Sequence, residues 1–222
     1  MAEMNASTKK IIAIILSLCI VMTVIAATGV FYVPGFSEAL GTNKPRDLGV
    51  KADPAKFQAL LSRENVQLNG NPADFDLTAN IRYGQAVPMD ASVTSEELTS
   101  MMQATNNAKG PLKNMQVKLG NNNELEMSAN ADLNKFGYPV NGPVYLKGKL
   151  EKSGTGSVRM TVTEGAFGLV PVPADLLKQG EDGLEQAVNH QLSGMPGLTI
   201  DTLTIQNGQL HYAGNFPKSA SV

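Results

Sequence analysis

The feature that most constrains this chain is an unbroken apolar run near its start. Residues 11–33 read IIAIILSLCIVMTVIAATGVFYV and contain no charged side chain. As a helix with a rise of about 1.5 Å per residue, the run would reach roughly 34 Å, enough to cross a bilayer core of about 30 Å. No later stretch of the sequence is comparably apolar. The sequence therefore predicts one N-terminal transmembrane helix followed by a domain that folds in water.

The residues that flank the run favour a retained anchor with a cytoplasmic N-terminus. Lys9 and Lys10 end a short head, residues 1–10, and cytoplasmic flanks tend to carry positive charge. A cleaved signal peptide is the main alternative, because Ala26 and Ala27 are small enough for a cleavage site. The apolar core is long for a signal peptide, which favours a single-pass protein of the cell membrane with an extracytoplasmic C-terminal domain.

Composition divides the rest of the chain. Residues 34–46 are rich in Pro and Gly and are typical of a linker, residues 47–217 form one domain, and residues 218–222 form a tail. The formal net charge is −2, and no basic block occurs. A nucleic-acid partner is excluded on this ground, because phosphate contacts need clustered Lys or Arg. Cys19 is the only cysteine, so it cannot form an internal disulfide.

Hydrophobic periodicity predicts three helices in the domain. The first begins after Asp53, a good N-cap that is followed by proline. The second begins after Thr94, where TSEE forms a capping box. The third and longest runs over about residues 174–192 and carries an apolar stripe. Its glycines, Gly180 and Gly183, indicate close packing against a sheet, a weak and bent helix, or tolerated surface positions.

Alternation of apolar and polar residues predicts about eight or nine strands. The phase slips near Thr202, which predicts a bulge, and Asn207-Gly208 predicts a two-residue hairpin turn. Pro171 and Pro173 predict a sheet edge. Short connections favour antiparallel pairing, so the fold class is α+β with a mostly antiparallel sheet. The predicted strands are 66–68, 75–83, a short strand in MDASVT before the second helix, 115–119, 125–133, 144–150, 158–162, 198–205 and 210–216.

No catalytic or metal-binding motif is present in the sequence. The two histidines, His190 and His211, have no partner at metal-ligand spacing. Glu96 and Glu97 are explained by helix capping, because carboxylates stabilise a first helical turn. No nucleophile elbow, phosphate-binding loop, zinc-protease motif or dinucleotide glycine motif occurs. The sequence predicts a protein that is not an enzyme and needs neither cofactor nor metal.

Three stretches of the chain resemble a group of envelope proteins. They are SVTSEELTSMMQ (92–103), MQVKLGNNNELEMSANADL (115–133), and AFGLVPVPADLLKQGEDGLEQAVNHQL (166–192) running into MPGLTIDTLTIQNGQLHYAGNFP (195–217). In these stretches the chain resembles the YpmS and LmeA families of cell-envelope proteins, whose fold is similar to the tubular lipid-binding (TULIP) superfamily. The resemblance implies a curved, mostly antiparallel sheet wrapped on a long helix, with an elongated apolar groove for acyl chains.

The candidate ligand-binding residues are apolar side chains that would line such a groove. Methionine adapts its shape easily, so it suits cavities that accept ligands. Ordinary core packing stays open as the alternative for each of these positions. The candidates are Met101, Met102, Met115, Val117, Met127, Met160, Leu177, Leu184 and Val188.

The sequence leaves three functions to weigh. The first is a membrane-anchored extracytoplasmic domain that binds a lipid or another apolar ligand without catalysis. The second is an anchored scaffold or sensor of the cell envelope that binds protein partners. The third is an enzyme such as a lipid hydrolase, for which no catalytic constellation stands out. The apolar run, the missing catalytic groups and the resemblance favour the first.

Overall fold

A computed structural model describes residues 42–75, 79–132 and 141–222 of the chain. The apolar run at 11–33, the head before it and most of the linker lie outside the described residues. Within the described ranges, no helix combines the length and the apolar character needed to span a membrane. The predicted transmembrane helix is therefore no part of the fold that the structure describes.

Three α-helices lie where the sequence predicts them. They are α1 (Pro54–Arg63), α2 (Ser95–Asn106) and α3 (Ala174–Ser193). Asp53 caps α1 by accepting a hydrogen bond from the N–H of Ala55 at 2.8 Å. At the start of α2 the N–H of Glu97 donates to Oγ1 of Thr94 at 3.2 Å, and the N–H of Thr94 donates to Oε2 of Glu97 at 2.9 Å. Both predicted caps are confirmed, and they satisfy N–H groups that a helix start leaves unpaired.

The strands form three separate sheets. Those in the described residues are β1 (Gln67–Asn69), β2 (Arg82–Tyr83), β3 (Ala86–Thr94), β4 (Leu112–Leu119), β5 (Glu124–Asp132), β6 (Asn141–Lys152), β7 (Val158–Phe167), β8 (Val170–Pro171), β9 (Thr199–Gln206), β10 (Gln209–Pro217) and β11 (Ser219–Ser221). The sheet orders are β1-β11-β2, β3-β10-β9 and β4-β5-β6-β7-β8. Apart from the parallel pair β1–β11, the described strands pair antiparallel.

The predicted single curved sheet wrapped on a long helix, as in the TULIP type, is wrong. The strands divide into three sheets, and α3 packs mainly against one strand, β7. The reason lies in the side chains that make the contact. The residues of α3 that reach β7 include polar groups that bind its backbone; of its apolar residues, Val188 and Leu192 pack against the core, whereas Leu176 is 51% exposed. The α+β class and the mainly antiparallel pairing remain.

Polar side chains of α3 cover the free edge of β7. The side-chain amide of Asn189 donates Nδ2–H to the carbonyl of Val158 at 2.8 Å, and its Oδ1 accepts from the N–H of Val158 at 2.9 Å. The carboxylates of Glu185 and Glu181 accept from strand N–H groups at 3.0 and 2.8 Å. Hydrogen bonds from Lys178 and from the strand hold the pKa of Glu181 below its ordinary value. The strand partners are Val158, Met160 and Val162.

The spacing explains this fit between helix and strand. Residues four apart on a helix and two apart on a strand both advance about 6 Å along their axes. The helix side chains therefore meet every second residue of β7, where the backbone groups point away from β6. An edge strand needs such a cover, because its unpaired N–H and C=O groups otherwise attract other chains.

The glycines of α3 occupy open surface. No heavy atom lies within 4 Å of the position that a Cβ would take at Gly180 or Gly183. Replacing Gly180 by alanine is expected to raise the free energy of unfolding by about 0.5–1 kcal/mol, because alanine favours the helix and restricts the unfolded chain. Urea denaturation of the detergent-solubilised full chain measures the change.

A glycine in the large sheet provides the control for this substitution. At Gly148 a Cβ would lie 2.3 Å from the carbonyl oxygen of Thr161. Gly148→Ala should therefore destabilise the protein, since strand backbone cannot move aside cheaply. A loss of stability in Gly180→Ala as well would contradict the surface placement of that residue.

Two short segments differ from the predictions. Residues 76–78 of the predicted strand 75–83 lie outside the described residues; of the rest, Arg82–Tyr83 form a strand, and residues 72–74 before it form a 3₁₀-helix. Residues 218–222, expected to be a tail, contain β11, in which Ala220 pairs with Leu68 of β1. Backbone pairing makes this strand, and its short, polar sequence carries no alternation that could reveal it.

The C-terminal hairpin follows the sequence closely. The turn at Asn207-Gly208 joins β9 and β10 with both residues at positive φ, 53° and 76°. The register of the pair shifts at Ala213/Gly214, so that Asp201 has no strand partner. The predicted hairpin and bulge are confirmed, with the bulge one residue from Thr202.

The hydrophobic core lies between the sheet β3-β10-β9 and the five-stranded sheet β4-β5-β6-β7-β8. Leu150 of β6 and Leu210 of β10 pack against both of its buried clusters. The turn between β4 and β5 ties the two sheets together, because the N–H of Asn123 donates to the carbonyl of Ile205 at 3.0 Å. The clusters are Val117, Leu119 and Ile205, and Val158, Ile200 and Leu203.

Candidate functional site

An apolar cavity of about 240 Å³ lies between the helix pair α1–α2 and the sheet β3-β10-β9. Only apolar atoms face its interior. Most of its lining residues are partly exposed, so the cavity opens to solvent. Its walls include Leu60, Met89, Ala91, Met101, Leu210 and Phe216.

One face of β3 and β10 forms the floor of this cavity. Ala91 pairs with Tyr212, and Val93 pairs with Leu210, so their side chains lie side by side. The rings of Tyr212 and Phe216 meet edge to face, with centroids 5.7 Å apart. Such edge-to-face contacts fix aromatic rings in place, which gives the floor a defined shape.

Tyr212 presents an apolar ring to the cavity and keeps its hydroxyl away from it. The hydroxyl oxygen lies 2.7 Å from the carbonyl oxygen of Thr199 and 2.8 Å from that of Asn215. Burial, followed by the charge of Asp201, raises the pKa of Tyr212 to about 12. The phenol is therefore neutral at physiological pH and supplies no charge to the cavity.

An ion pair clamps the two helices that form the roof. Nη1 of Arg63 on α1 lies 2.6 Å from Oε1 of Glu97 on α2, and Nη2 lies 3.4 Å from Oε2. The same guanidinium donates to the carbonyl of Ser92 at 2.7 Å and to Glu64 at 2.7 Å. Arg63 therefore joins α1 to α2 and to the end of β3 beside the cavity.

The electrostatics of this clamp keep both groups charged. Burial by itself would raise the pKa of Glu97, but hydrogen bonds from Arg63 and Thr94 and the guanidinium charge outweigh it, and the pKa lies below its ordinary value. The hydrogen bonds from Arg63 to Glu97 and Glu64 likewise raise the pKa of the guanidinium. The capping glutamate thus has a second role as a counterion.

The structure places one of the predicted groove residues, Met101, in the wall of this cavity. Its neighbour Met102 points into the core cluster around Val117, which is itself 4% exposed. Met115 is 1% exposed and also belongs to the core. For these last three residues the structure favours ordinary packing, the alternative that the sequence left open.

The remaining candidates lie on or near β7. Met127, Met160 and Leu184 meet at a crevice of about 20 Å³, which is large enough for about one water molecule. Leu177 lies beside Gly165, and Val188 packs against the cluster of Val158. Met127, Met160 and Leu184 therefore line a different hollow from Met101.

None of the candidate residues from the sequence lies in the floor of the cavity. Met89, Ala91 and Val93 alternate with polar residues along β3, which is a strand signal. Pro88 interrupts that signal, but β3 is an edge strand, where proline is tolerated. The sequence predicts a short strand in MDASVT and a strand over 210–216, but no local pattern shows that these two strands pair.

A second hollow, of about 490 Å³, lies where the described chain begins. The guanidinium carbon of Arg46 stands 3.6 Å above the ring centroid of Tyr145, whose hydroxyl donates to Glu126 at 2.9 Å. Burial and then this hydrogen bond raise the pKa of Tyr145 to about 12. Thr42 and Leu169 line the same hollow, so the linker enters the domain beside the β7–β8 turn.

The histidines stand apart from both hollows. His211 lies on the face of β10 opposite Leu210 and Tyr212, with Nε2 at 2.9 Å from Oδ1 of Asp90, and His190 is exposed on α3. Among the described residues, no three His, Cys, Asp or Glu side chains are grouped to hold a metal ion.

Comparison with protein-family models, with curated proteins and with solved structures finds no match for this chain. The resemblance to the YpmS and LmeA families therefore stays a prediction from the quoted stretches of sequence.

Proposed function

We propose that this chain is a membrane-anchored, extracytoplasmic protein that binds a lipid acyl chain or a similar apolar ligand without catalysing a reaction. The observation that carries the proposal is the apolar cavity between α1–α2 and the sheet β3-β10-β9. Its volume of about 240 Å³ is below the range of about 300–1,000 Å³ that is usual for drug-sized ligands. It suits one short chain, or the end of a longer one.

The chemistry of the walls supports an apolar ligand. Each methylene that leaves water for such a site contributes about 0.8 kcal/mol. Glu64 belongs to the lining, but its carboxylate accepts a hydrogen bond from Nε of Arg63 at 2.7 Å and is directed to that partner. The site therefore has affinity for hydrocarbon and little means to select a head group, which would remain at the mouth.

The apolar run at 11–33 supports the membrane location. It would hold the domain at a bilayer, where acyl chains are concentrated, and it contains no charged residue. The absence of a basic block favours hydrophobic over electrostatic contact with lipid. The proposal includes no reaction because the sequence carries no catalytic motif.

A photoreactive fatty acid tests the proposal on the full chain in lipid nanodiscs. Labelling by a short-chain fatty acid that carries a diazirine should concentrate on peptides of α2, β3 and β10. Met101→Gln should raise the half-labelling concentration about tenfold or more, because ligand binding would strip water from an amide that finds no partner. Peptide mapping by mass spectrometry measures both quantities.

Met160→Gln is the matched control for this experiment. Met160 is also partly exposed, but it lies at the small crevice beside β7 and away from the cavity. Its labelling curve should overlay that of the unmodified chain. Equal labelling of both variants, or label spread without preference over the domain, would rule out the cavity as the binding site.

A further inference from the structure

We propose that the β7–β8 turn and the start of α3 insert into the interface of the membrane that holds the chain, as a second contact besides the anchor. Leu169, Val170 and Leu176 define this surface, which is called the apolar tip below. The proposal rests on the membrane location proposed above. It adds a contact that would orient the domain on the bilayer.

The apolar tip is unusually exposed. Leu169 is 71% exposed, Val170 37% and Leu176 51%. Among the described residues, Val222 is the other large apolar side chain with comparable exposure. Three such residues fall within the short stretch 169–176, and a concentration of exposed apolar side chains marks a surface that contacts another phase or molecule.

The backbone holds the tip in this exposed position. The N–H of Gly168 donates to the carbonyl of Pro143 at 2.7 Å, and the N–H of Val172 donates to the carbonyl of Gly165 at 2.8 Å. These bonds enclose Leu169 in a closed turn, with Gly168 at a φ of 57°. The leucine is therefore presented by paired backbone at the end of the largest sheet.

The point where the linker enters the domain indicates a bilayer as the occupant. Leu169 lines the same hollow as Thr42, the first described residue. From Val33, the end of the apolar run, to Thr42 the chain spans at most about 3.5 Å per residue, or roughly 30 Å when fully stretched. A chain anchored through 11–33 therefore keeps the apolar tip within reach of its own membrane.

The side chains around the tip match a lipid interface. Lys44 and Arg46 are exposed beside it, and the ring of Tyr145 lies under the guanidinium. Long basic side chains are common where protein meets headgroups, because each combines an apolar stem with a charged end; Tyr145 is only 4% exposed and serves to hold Arg46 in place. Leucine at such a surface enters the boundary between headgroups and acyl chains.

Tryptophan fluorescence tests this contact, since the chain has no tryptophan of its own. Leu169→Trp and Leu176→Trp place one reporter each in the tip, where high exposure makes the change harmless to the core. Glu151→Trp is the control, because Glu151 is exposed near the opposite end of the β6–β7 hairpin. Each full-length variant is reconstituted in vesicles of phosphatidylcholine and phosphatidylglycerol with brominated acyl chains.

The tip reporters should be quenched about threefold more strongly than the control and should emit at shorter wavelength, as expected for side chains in the headgroup boundary. Quenching no stronger than that of Glu151→Trp would overturn the proposal. A blue shift without bromine quenching would overturn it as well. That result would show that the tip is covered by protein, either a second copy of this chain or another partner. Flotation of the same vesicles reports separately whether the chain is anchored, and labelling by the photoreactive fatty acid reports on the cavity.

Discussion

Arg63→Met is expected to lower the free energy of unfolding by about 2–3 kcal/mol at pH 7. The substitution leaves the Glu97 carboxylate, whose side chain is 9% exposed, without its cation. Losing one partner of a fully buried pair costs about 3–5 kcal/mol, and the value here is reduced because the Arg63 side chain is 46% exposed and partly screened by water. Urea denaturation of the full chain in detergent measures the loss.

The loss should depend on pH in a defined direction. In the unmodified protein the pKa of Glu97 is lowered from 4.5, so its contribution is present above about pH 4.5 and disappears as the pH falls through the folded value. Without Arg63, burial would dominate and raise that pKa. The difference between variant and parent should therefore shrink in acid, and a constant difference from pH 7 to pH 3 would argue against the clamp.

A second ion pair between the same helices provides the control for Arg63→Met. Nζ of Lys56 lies 3.9 Å from Oε2 of Glu96, with side chains 46% and 43% exposed. Exposed pairs contribute little, so Lys56→Met should change stability by less than about 0.5 kcal/mol. Equal losses of stability in the two variants would mean that the change in net charge, and not the unpaired Glu97 carboxylate, accounts for the effect of Arg63→Met.

Asn189→Ala is expected to lower the free energy of unfolding by about 2–4 kcal/mol. The substitution orphans both the N–H and the carbonyl of Val158, a residue only 5% exposed, and each buried unpaired group costs about 1–3 kcal/mol. Hydrogen exchange should localise the effect, because the Val158 amide should lose protection while amides that pair β6 with β5 keep theirs. Denaturation and residue-resolved exchange measure the two quantities.

Two further variants separate the lost hydrogen bonds from a general weakening of α3. His190→Ala removes an exposed neighbour on the same helix and should leave Val158 protected. Glu185→Gln keeps an oxygen that can accept from the N–H of Met160, so it should cost clearly less than Asn189→Ala. If the Val158 amide lost as much protection in His190→Ala as in Asn189→Ala, the hydrogen bonds from Asn189 would not be the source of that protection.

Local rules account for the parts of the fold that the sequence predicted. The capping box at Thr94 and Glu97 acts over three residues, and the turn at Asn207-Gly208 acts over two, so each can be recognised without the rest of the fold. The docking of α3 could not be recognised this way. Its apolar stripe predicted a buried face, whereas the strand edge beside it required polar partners at Glu181 and Asn189.

The candidate site shows the same limit more strongly. Met101 was found because it lies on the apolar face of a capped helix. The floor opposite it depends on the pairing of Ala91 with Tyr212, and no local pattern announces a partner so far along the chain. Methionines on other strands matched the pattern equally well but entered the core, because alternation identifies a buried face without identifying which cavity it meets.

The position of β10 at the centre of its sheet also sets an order of assembly. Asp90 of β3 and His211 of β10 are neighbours although they lie 121 positions apart. Folds that depend on such distant pairings form slowly, because a large loop must close before the pairing contributes stability. During synthesis β3 must wait with both edges bare, a state that favours association with other chains. The floor of the pocket would thus form late, after β9 and β10 have both been synthesised.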